Sequence, residues 1–255
     1  MTVREEVRGA ALWLTIDREE RRNALSPEVM DGLVGGLARA AATADVRAVV
    51  LTGAGERAFC AGGDIGGFSG APGGPSPAER IADLLRALRD HPQPVIARVN
   101  GRALGGGLGL MLASDLVVAA DDVEVGMPEV NIGLWPHVIT AVVQRNVPRK
   151  VALEMMLTGR RVGAAEAERW GMVNRVVPRA DLDTAVDELV AAVAAKSPAV
   201  LRLGKASFSG AADRATFDEA LAFLAGRLEE NLSLEDLAEG VAAFLEKREP
   251  RWKGR

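Results

Sequence analysis

Two glycine-rich stretches hold the residue types best suited to chemistry. Residues 59–65 read Phe-Cys-Ala-Gly-Gly-Asp-Ile, and residues 100–109 read Asn-Gly-Arg-Ala-Leu-Gly-Gly-Gly-Leu-Gly. Side chains this small let a ligand approach the main chain, and Asp64 can fold back onto local amides. The second stretch runs into an apolar segment that predicts a helix over 106–113. The first amides of a helix lack intrahelical acceptors and sit at the positive end of its dipole, which suits an anion or a developing oxyanion. The Gly-Lys-Ser/Thr of a phosphate loop is absent, and so is a dinucleotide fingerprint after a strand. Taken singly, each stretch reads equally well as a tight turn or as close helix–sheet packing. Together they supply amides from two separate turns, the means of holding a carbonyl oxygen as it becomes negative, where loss of one donor costs about 3 kcal/mol.

Composition narrows what else could react. The chain of 255 residues has no tyrosine, two histidines (His91 and His137) and one cysteine, Cys60. A tyrosine acid, an intrachain disulfide, a cysteine-rich metal site and a multi-histidine metal site are thereby excluded. Chemistry must rest on carboxylates, backbone amides or one of the two histidines. A formal net charge of −4 offers no overall footprint for nucleic acid, although a local basic cluster could take a phosphorylated ligand. Acidic Glu5 and Glu6 near the start, and the lack of a long apolar run, predict a cytoplasmic protein with no membrane span.

The elements that must position these stretches alternate. Residues 3–8 and 11–16 predict a strand pair, and residues 27–43 a helix with Val29, Met30, Leu33, Val34 and Leu37 on one face and Ser26 as N-cap. Strands are predicted over 46–52, 95–99, 115–120 and 172–177, with a further helical segment over 83–89. This is an α/β core. Beyond it the pattern becomes almost wholly helical. Phe217, Leu221, Leu224 and Leu228 form one stripe; Leu234, Leu237, Ala238, Val241, Phe244 and Leu245 form another, with Ser233 as its cap. Such helices fit packing on a partner subunit, or on their own core. Residues 69–77, SGAPGGPSP, read as a loop that is either a mobile flap beside a ligand or an uninvolved surface segment.

Three runs carry a resemblance: residues 49–65 (VVLTGAGERAFCAGGDI), 94–107 (PVIARVNGRALGGG) and 127–136 (MPEVNIGLWP). Together they resemble the crotonase superfamily of enoyl-CoA hydratases and isomerases, and the likeness extends from Arg22-Asn23-Ala24-Leu25 to residues 239–248. The resemblance implies a spiral of β-β-α units over 1–196 and a C-terminal α-helical trimerisation region over 197–255. It also implies a trimer or dimer of trimers acting on an acyl-CoA, with CoA as part of the substrate and with no metal or redox cofactor.

Residue by residue, the resemblance gives the oxyanion amides to Gly63 and Gly106. It places the CoA groove at Ala61, Asp64 and Ile65, a basic residue near the CoA phosphates at Arg22 beside Ala24, and a cover over the nucleotide at Phe244 and Lys247. Hydratases of the family typically carry two glutamates. Glu129 matches one, whereas Gly109 stands in place of the other, and a glycine transfers no proton. A single glutamate can take a proton from one carbon and return it to another, the logic of a Δ3-Δ2-enoyl-CoA isomerase. Hydration of a 2-enoyl-CoA and double-bond isomerisation both stay open at this point, and so does a CoA-thioester-binding protein that has lost hydratase chemistry. A decarboxylase or thioester hydrolase on the same scaffold is a weaker alternative. Trp135 and His137 are candidates to shape the acyl pocket, with His137 either a stand-in acid or a helix-start residue, and His91 is read as structural.

Overall fold

Strands with apolar residues at every position need both faces covered, and that is what the central strands receive. The computed structural model describes residues 2–64 and 74–255. β1 (Val3–Arg8) pairs antiparallel with β2 (Ala11–Ile16), and β2 continues in parallel through β3 (Ala48–Gly53), β5 (Val95–Val99), β7 (Leu116–Ala120) and β10 (Arg175–Val177). All six residues of β2 and of β3 are buried, so neither face of these two strands is left open.

A second sheet is built from strands of three residues: β4 (Ala58–Cys60), β6 (Arg102–Leu104), β8 (Glu124–Gly126) and β9 (Arg161–Gly163). The chain alternates between the sheets. β3 is followed by β4 and α2 (Pro77–Arg89), β5 by β6 and α3 (Gly106–Ala113), and β7 by β8 and the helical segments beyond it. Each turn therefore adds a strand to either sheet and then a helix, which is the spiral of β-β-α units expected. Every turn also brings the end of a short strand to the same edge, and those ends carry the glycine stretches.

Local chemistry sets the boundaries. Ser26 accepts from the Val29 amide at 3.4 Å and caps α1 (Pro27–Ala42). Ser76 and Glu79 form a reciprocal capping box, so α2 begins at Pro77, inside the segment expected to be a loop to residue 77. Residues 69–73 of that expected flap lie outside the described residues. The strand expected over 172–177 is confined to its last three residues.

After α4 (Thr140–Asn146), α5 (Arg149–Thr158), α6 (Ala164–Arg169) and α7 (Leu182–Ala194), the chain turns at Ser197, which caps α8 (Pro198–Ala212). α9 (Phe217–Leu232) buries none of its residues; Phe217, Leu221, Leu224, Leu228 and Leu232 all face outward. Ser233 does not cap α10 (Glu235–Glu246). Its hydroxyl instead donates to the carbonyl of Glu230 at 2.7 Å and closes α9, leaving Leu234 at the start of α10. The C-terminal tail folds back, with the buried Asp236 carboxylate accepting from Ser197 at 2.6 Å and from the amides of Lys253 and Gly254 at 2.6 and 3.0 Å. Among the described residues, no helix is long and apolar enough to cross a membrane.

Candidate active site

Asn23 organises the first glycine stretch from beneath. It is fully buried at a φ of 56°, a left-handed conformation that asparagine tolerates better than most residues. Its Nδ2 donates to the carbonyls of Ala54 and Ala58 at 3.0 and 2.7 Å, and its Oδ1 accepts from the Arg18 amide at 3.1 Å. The chain on either side is fixed as a result. Leu25 N donates to the Gly62 carbonyl at 2.8 Å, Asp64 N donates to the Leu25 carbonyl at 3.0 Å, and Leu25 and Gly63 form a parallel bridge. Asp64 does not fold back onto local amides as expected. Its carboxylate accepts from Arg18 at 3.0 Å, since a half-buried guanidinium is the stronger partner. Ile65 lies outside the described residues.

The second stretch meets the first with no side chain between them. Gly105 turns the chain into α3 at φ 52°, ψ −122°, a conformation open to glycine, and its amide donates to the Gly126 carbonyl at 2.8 Å. A Cβ on Gly107 would collide with the carbonyl of Cys60. A Cβ on Gly62, at φ 94°, would lie 3.3 Å from Gly106 N, and one on Gly106 would lie 3.7 Å from Gly63 N. The amides of Gly63 and Gly106 are thus neighbours, and neither donates to a protein acceptor among the described residues. An unpaired donor at the first turn of a helix, Gly106, and a second from the adjoining turn, Gly63, can together hold a developing negative oxygen.

Glu129 stands against this turn. It lies on a short 3-10 helix, Pro128–Ile132, closed by Gly133 in the left-handed region. A Cβ on Gly105 would come 2.5 Å from its Oε1, which locates the carboxylate directly beside the start of α3. Its Oε2 is buried without a hydrogen-bond partner. Burial raises the carboxyl above its ordinary value, with hydrogen bonding to its own backbone amide opposing. A carboxylate that is poorly solvated and has no cation to hold it is a stronger base than one in water. Cys60 makes no such contribution, because burial pushes its thiol up to about 12.

The remaining candidates separate. Trp135 is half-buried against the core, whereas His137 is exposed at the approach to α4, with its amide donating to the Trp135 carbonyl at 2.8 Å. His91 is buried far along the chain at the end of α2, its Nε2 unpartnered; burial, and then the charge of Lys205, pull it down to about 4.

Arg22 and Ala61 open onto a cavity of about 460 Å³ that Arg57, Arg102, Arg161 and Arg179 also line. Arg179 is held by Asp122, while Arg102 and Arg161 share Glu124 at 3.0 and 3.8 Å. Arg22 and Arg57 make no ion pair among the described residues, and with Glu56 also lining the cavity an excess of positive charge remains for an anionic ligand. Sequence reasoning found Arg22 and missed the other four. Arg57 and Arg102 sit inside the quoted motifs and were visible there, but nothing local announces that Arg161 and Arg179 converge on them. Ala24 is buried beside Arg22, and Phe244 and Lys247 do not line this cavity; Phe244 is 83% exposed on α10.

Comparison with known proteins identifies the group to which this arrangement belongs. Residues 6–255 match the enoyl-CoA hydratase/isomerase family. The chain belongs to that family, within the crotonase superfamily. It is 34% identical to the enoyl-CoA hydratase domain-containing protein 3, mitochondrial, of Rattus norvegicus, over 94% of this chain and 80% of that protein. It is 34% identical to the carnitinyl-CoA dehydratase of Proteus mirabilis (strain HI4320), over 97% of each. The crystal structure of an enoyl-CoA hydratase from Bacillus anthracis superposes with a TM-score of 0.92 at 32% identity, covering both chains in full. Enoyl-CoA hydratase/isomerase-family membership fixes the class of enzyme, and the names of these relatives span more than one reaction.

Proposed function

We propose that this enoyl-CoA hydratase/isomerase-family enzyme shifts a double bond in an acyl-CoA, converting a 3-enoyl-CoA into its 2-enoyl isomer. In this reading the thioester oxygen accepts from the amides of Gly63 and Gly106. Glu129 removes a proton from C2, so that the C–H pair forms a C1=C2 bond and the carbonyl π pair moves onto the thioester oxygen. The carbonyl then re-forms, the C1=C2 pair moves to C2=C3, and the C3=C4 pair takes a proton back from the same carboxyl at C4. Atoms are conserved throughout, and no water is consumed. The observation that carries the reading is Glu129: buried beside Gly105, raised by desolvation, and without the second carboxylate that Gly109 fails to provide. A lone acid/base that must both take and give a proton works best with a carboxyl shifted toward neutrality.

The ligand's phosphates are proposed to sit in the cavity lined by Arg22, Arg57 and Ala61, with Ala24 and Asp64 bordering the CoA groove beside it. CoA enters as part of the substrate, and no resident cofactor is assigned. Trp135, half-buried near the 3-10 helix that carries Glu129, is proposed to bound the acyl chain. The outward faces of α9 and α10 are proposed to pack on neighbouring subunits in a trimer or dimer of trimers, where Phe244 and Lys247 would cover a nucleotide.

Hydration is the second reading, supported by the hydratase and dehydratase names among relatives. The two are separated by incubating 2-enoyl-CoA and 3-enoyl-CoA separately with the enzyme in deuterated water. Isomerisation exchanges label and interconverts the substrates, hydration yields a 3-hydroxyacyl product, and a binding protein does neither. Glu129→Gln is expected to lower turnover by about 10²–10⁴-fold while CoA binding persists. Full activity in that variant overturns the assignment of the base.

A further inference from the structure

Gly109 lies directly above Gly105 on α3, its amide donating to the Gly105 carbonyl at 3.0 Å. It is therefore one helical turn from the point where Glu129 meets the chain. The space over Gly109 is already filled. A Cβ built there falls 2.5 Å from Ile139 Cγ2 and 3.1 Å from Ile139 Cβ, with Leu85 Cδ2 at 4.0 Å. Because Ile139 Cβ is itself that close, rotating the Ile139 side chain does not clear the position. The backbone at the start of α4 would have to retreat. That backbone is anchored, since the Ile139 carbonyl accepts from the amides of Val142 and Val143, both at 3.0 Å. Ile139 is 3% exposed, and both residues that meet the position are apolar.

We infer that Ile139, seated against Gly109, is the residue that sets the reaction: it denies water a site one turn above Glu129, so that the 2-enoyl thioester formed by proton return leaves without addition of water at C3. A water molecule needs two to four polar partners to be held in place, and a wall of Ile139 and Leu85 against a glycine supplies none. The same contact explains why residue 109 carries no side chain. The vacancy of a carboxylate and the presence of Ile139 are one packing arrangement, so a glutamate at 109 requires a smaller residue at 139.

This inference rests on the isomerase reading, and the experiment keeps their failures apart. The ratio of 3-hydroxyacyl-CoA formed to double bond shifted is measured for the parent enzyme, Ile139→Ala, Gly109→Glu and Gly109→Glu/Ile139→Ala, with melting temperature and CoA affinity as folding controls. The ratio is expected to rise at least about tenfold in Ile139→Ala, which removes three carbons where a single methylene in a pocket already discriminates about tenfold or more. It is expected to rise further in the double variant, which should also melt higher than Gly109→Glu alone. A parent enzyme that chiefly hydrates overturns the isomerase reading itself. A parent that isomerises, with an unchanged ratio in folded Ile139→Ala, overturns the role of Ile139 alone. Gly109→Glu melting no lower than the parent overturns the packing premise.

Discussion

Replacing Gly105 by alanine tests the position of the Glu129 carboxylate without touching Glu129. The added Cβ would lie 2.5 Å from Oε1 and 3.1 Å from the carboxyl carbon, whereas ordinary contact begins at 3.4 Å. The carboxylate must therefore move by about 0.9 Å, on the scale of the misplacement that costs about 10²-fold in rate. It can move, because it is the far end of a side chain and no hydrogen bond ties its buried Oε2. A separate cost falls on stability. At φ 52°, ψ −122° an alanine is strained, by about 1–3 kcal/mol. Gly105→Ala is thus expected to fold with a lowered melting temperature and to bind CoA normally, while its enoyl-CoA turnover drops about 10²-fold. Turnover is followed by label exchange in deuterated water, affinity by CoA titration, and folding by calorimetry. Turnover within about threefold of the parent, alongside the expected loss of stability, would show that the chemistry does not depend on a carboxylate at this place.

His91 makes folding sensitive to acid: its folded value of about 4 lies below the ordinary 6.5, so the unfolded chain binds the proton first. The stability that neutral His91 contributes is complete above about pH 6.5 and falls away toward pH 4, by about 3 kcal/mol in full, and His91→Gln should flatten the melting temperature across that window. Asn23→Ala removes two buried hydrogen bonds and one part-buried one, so chemical denaturation should show a loss of about 3 kcal/mol. Because the same residue fixes the Gly62–Asp64 turn, the KM for acyl-CoA should rise as well, and an unchanged KM would argue against a shared scaffold. Leu228→Lys on the outward stripe of α9, where Leu228 is 59% exposed, should shift the mass measured by light scattering toward the monomer. An unaltered mass with an unaltered melting temperature would leave that face without a partner subunit.

Legibility in the sequence followed the length and regularity of each element. The longer strands and α1 announced themselves because an apolar run bounded by glycine or proline is a strong local signal, and α3 emerged at its predicted bounds. The second sheet did not. Segments such as Arg102–Leu104 and Glu124–Gly126 are three residues long, too short for any period, and they become strands only because the larger sheet delivers them side by side. Ser233 misled for a related reason, since a serine between two helices can serve either end, and here the Glu230 carbonyl claims it. Gly63, Gly106 and Glu129 are nominated by motifs, and the structure brings them close together, but the packing of Ile139 on Gly109 joins residues 30 positions apart, and nothing in either neighbourhood encodes it.

The two halves of the site therefore differ in how tightly the fold holds them. The paired amides of Gly63 and Gly106 belong to the backbone. They are kept in place by Asn23, by the Leu25–Gly63 bridge and by glycines that have no room for a Cβ, so most side-chain substitutions leave them standing. The groups proposed to move the proton and to exclude water are side chains from other turns of the spiral: Glu129 from the 3-10 helix after β8, and Ile139 from the start of α4. A change at either is expected to alter what is done to a bound thioester while leaving the amides of Gly63 and Gly106 in place. That division gives one scaffold room for several acyl-CoA reactions, and it makes the partition between hydration and isomerisation, not binding or folding, the quantity that Glu129 and Ile139 should control.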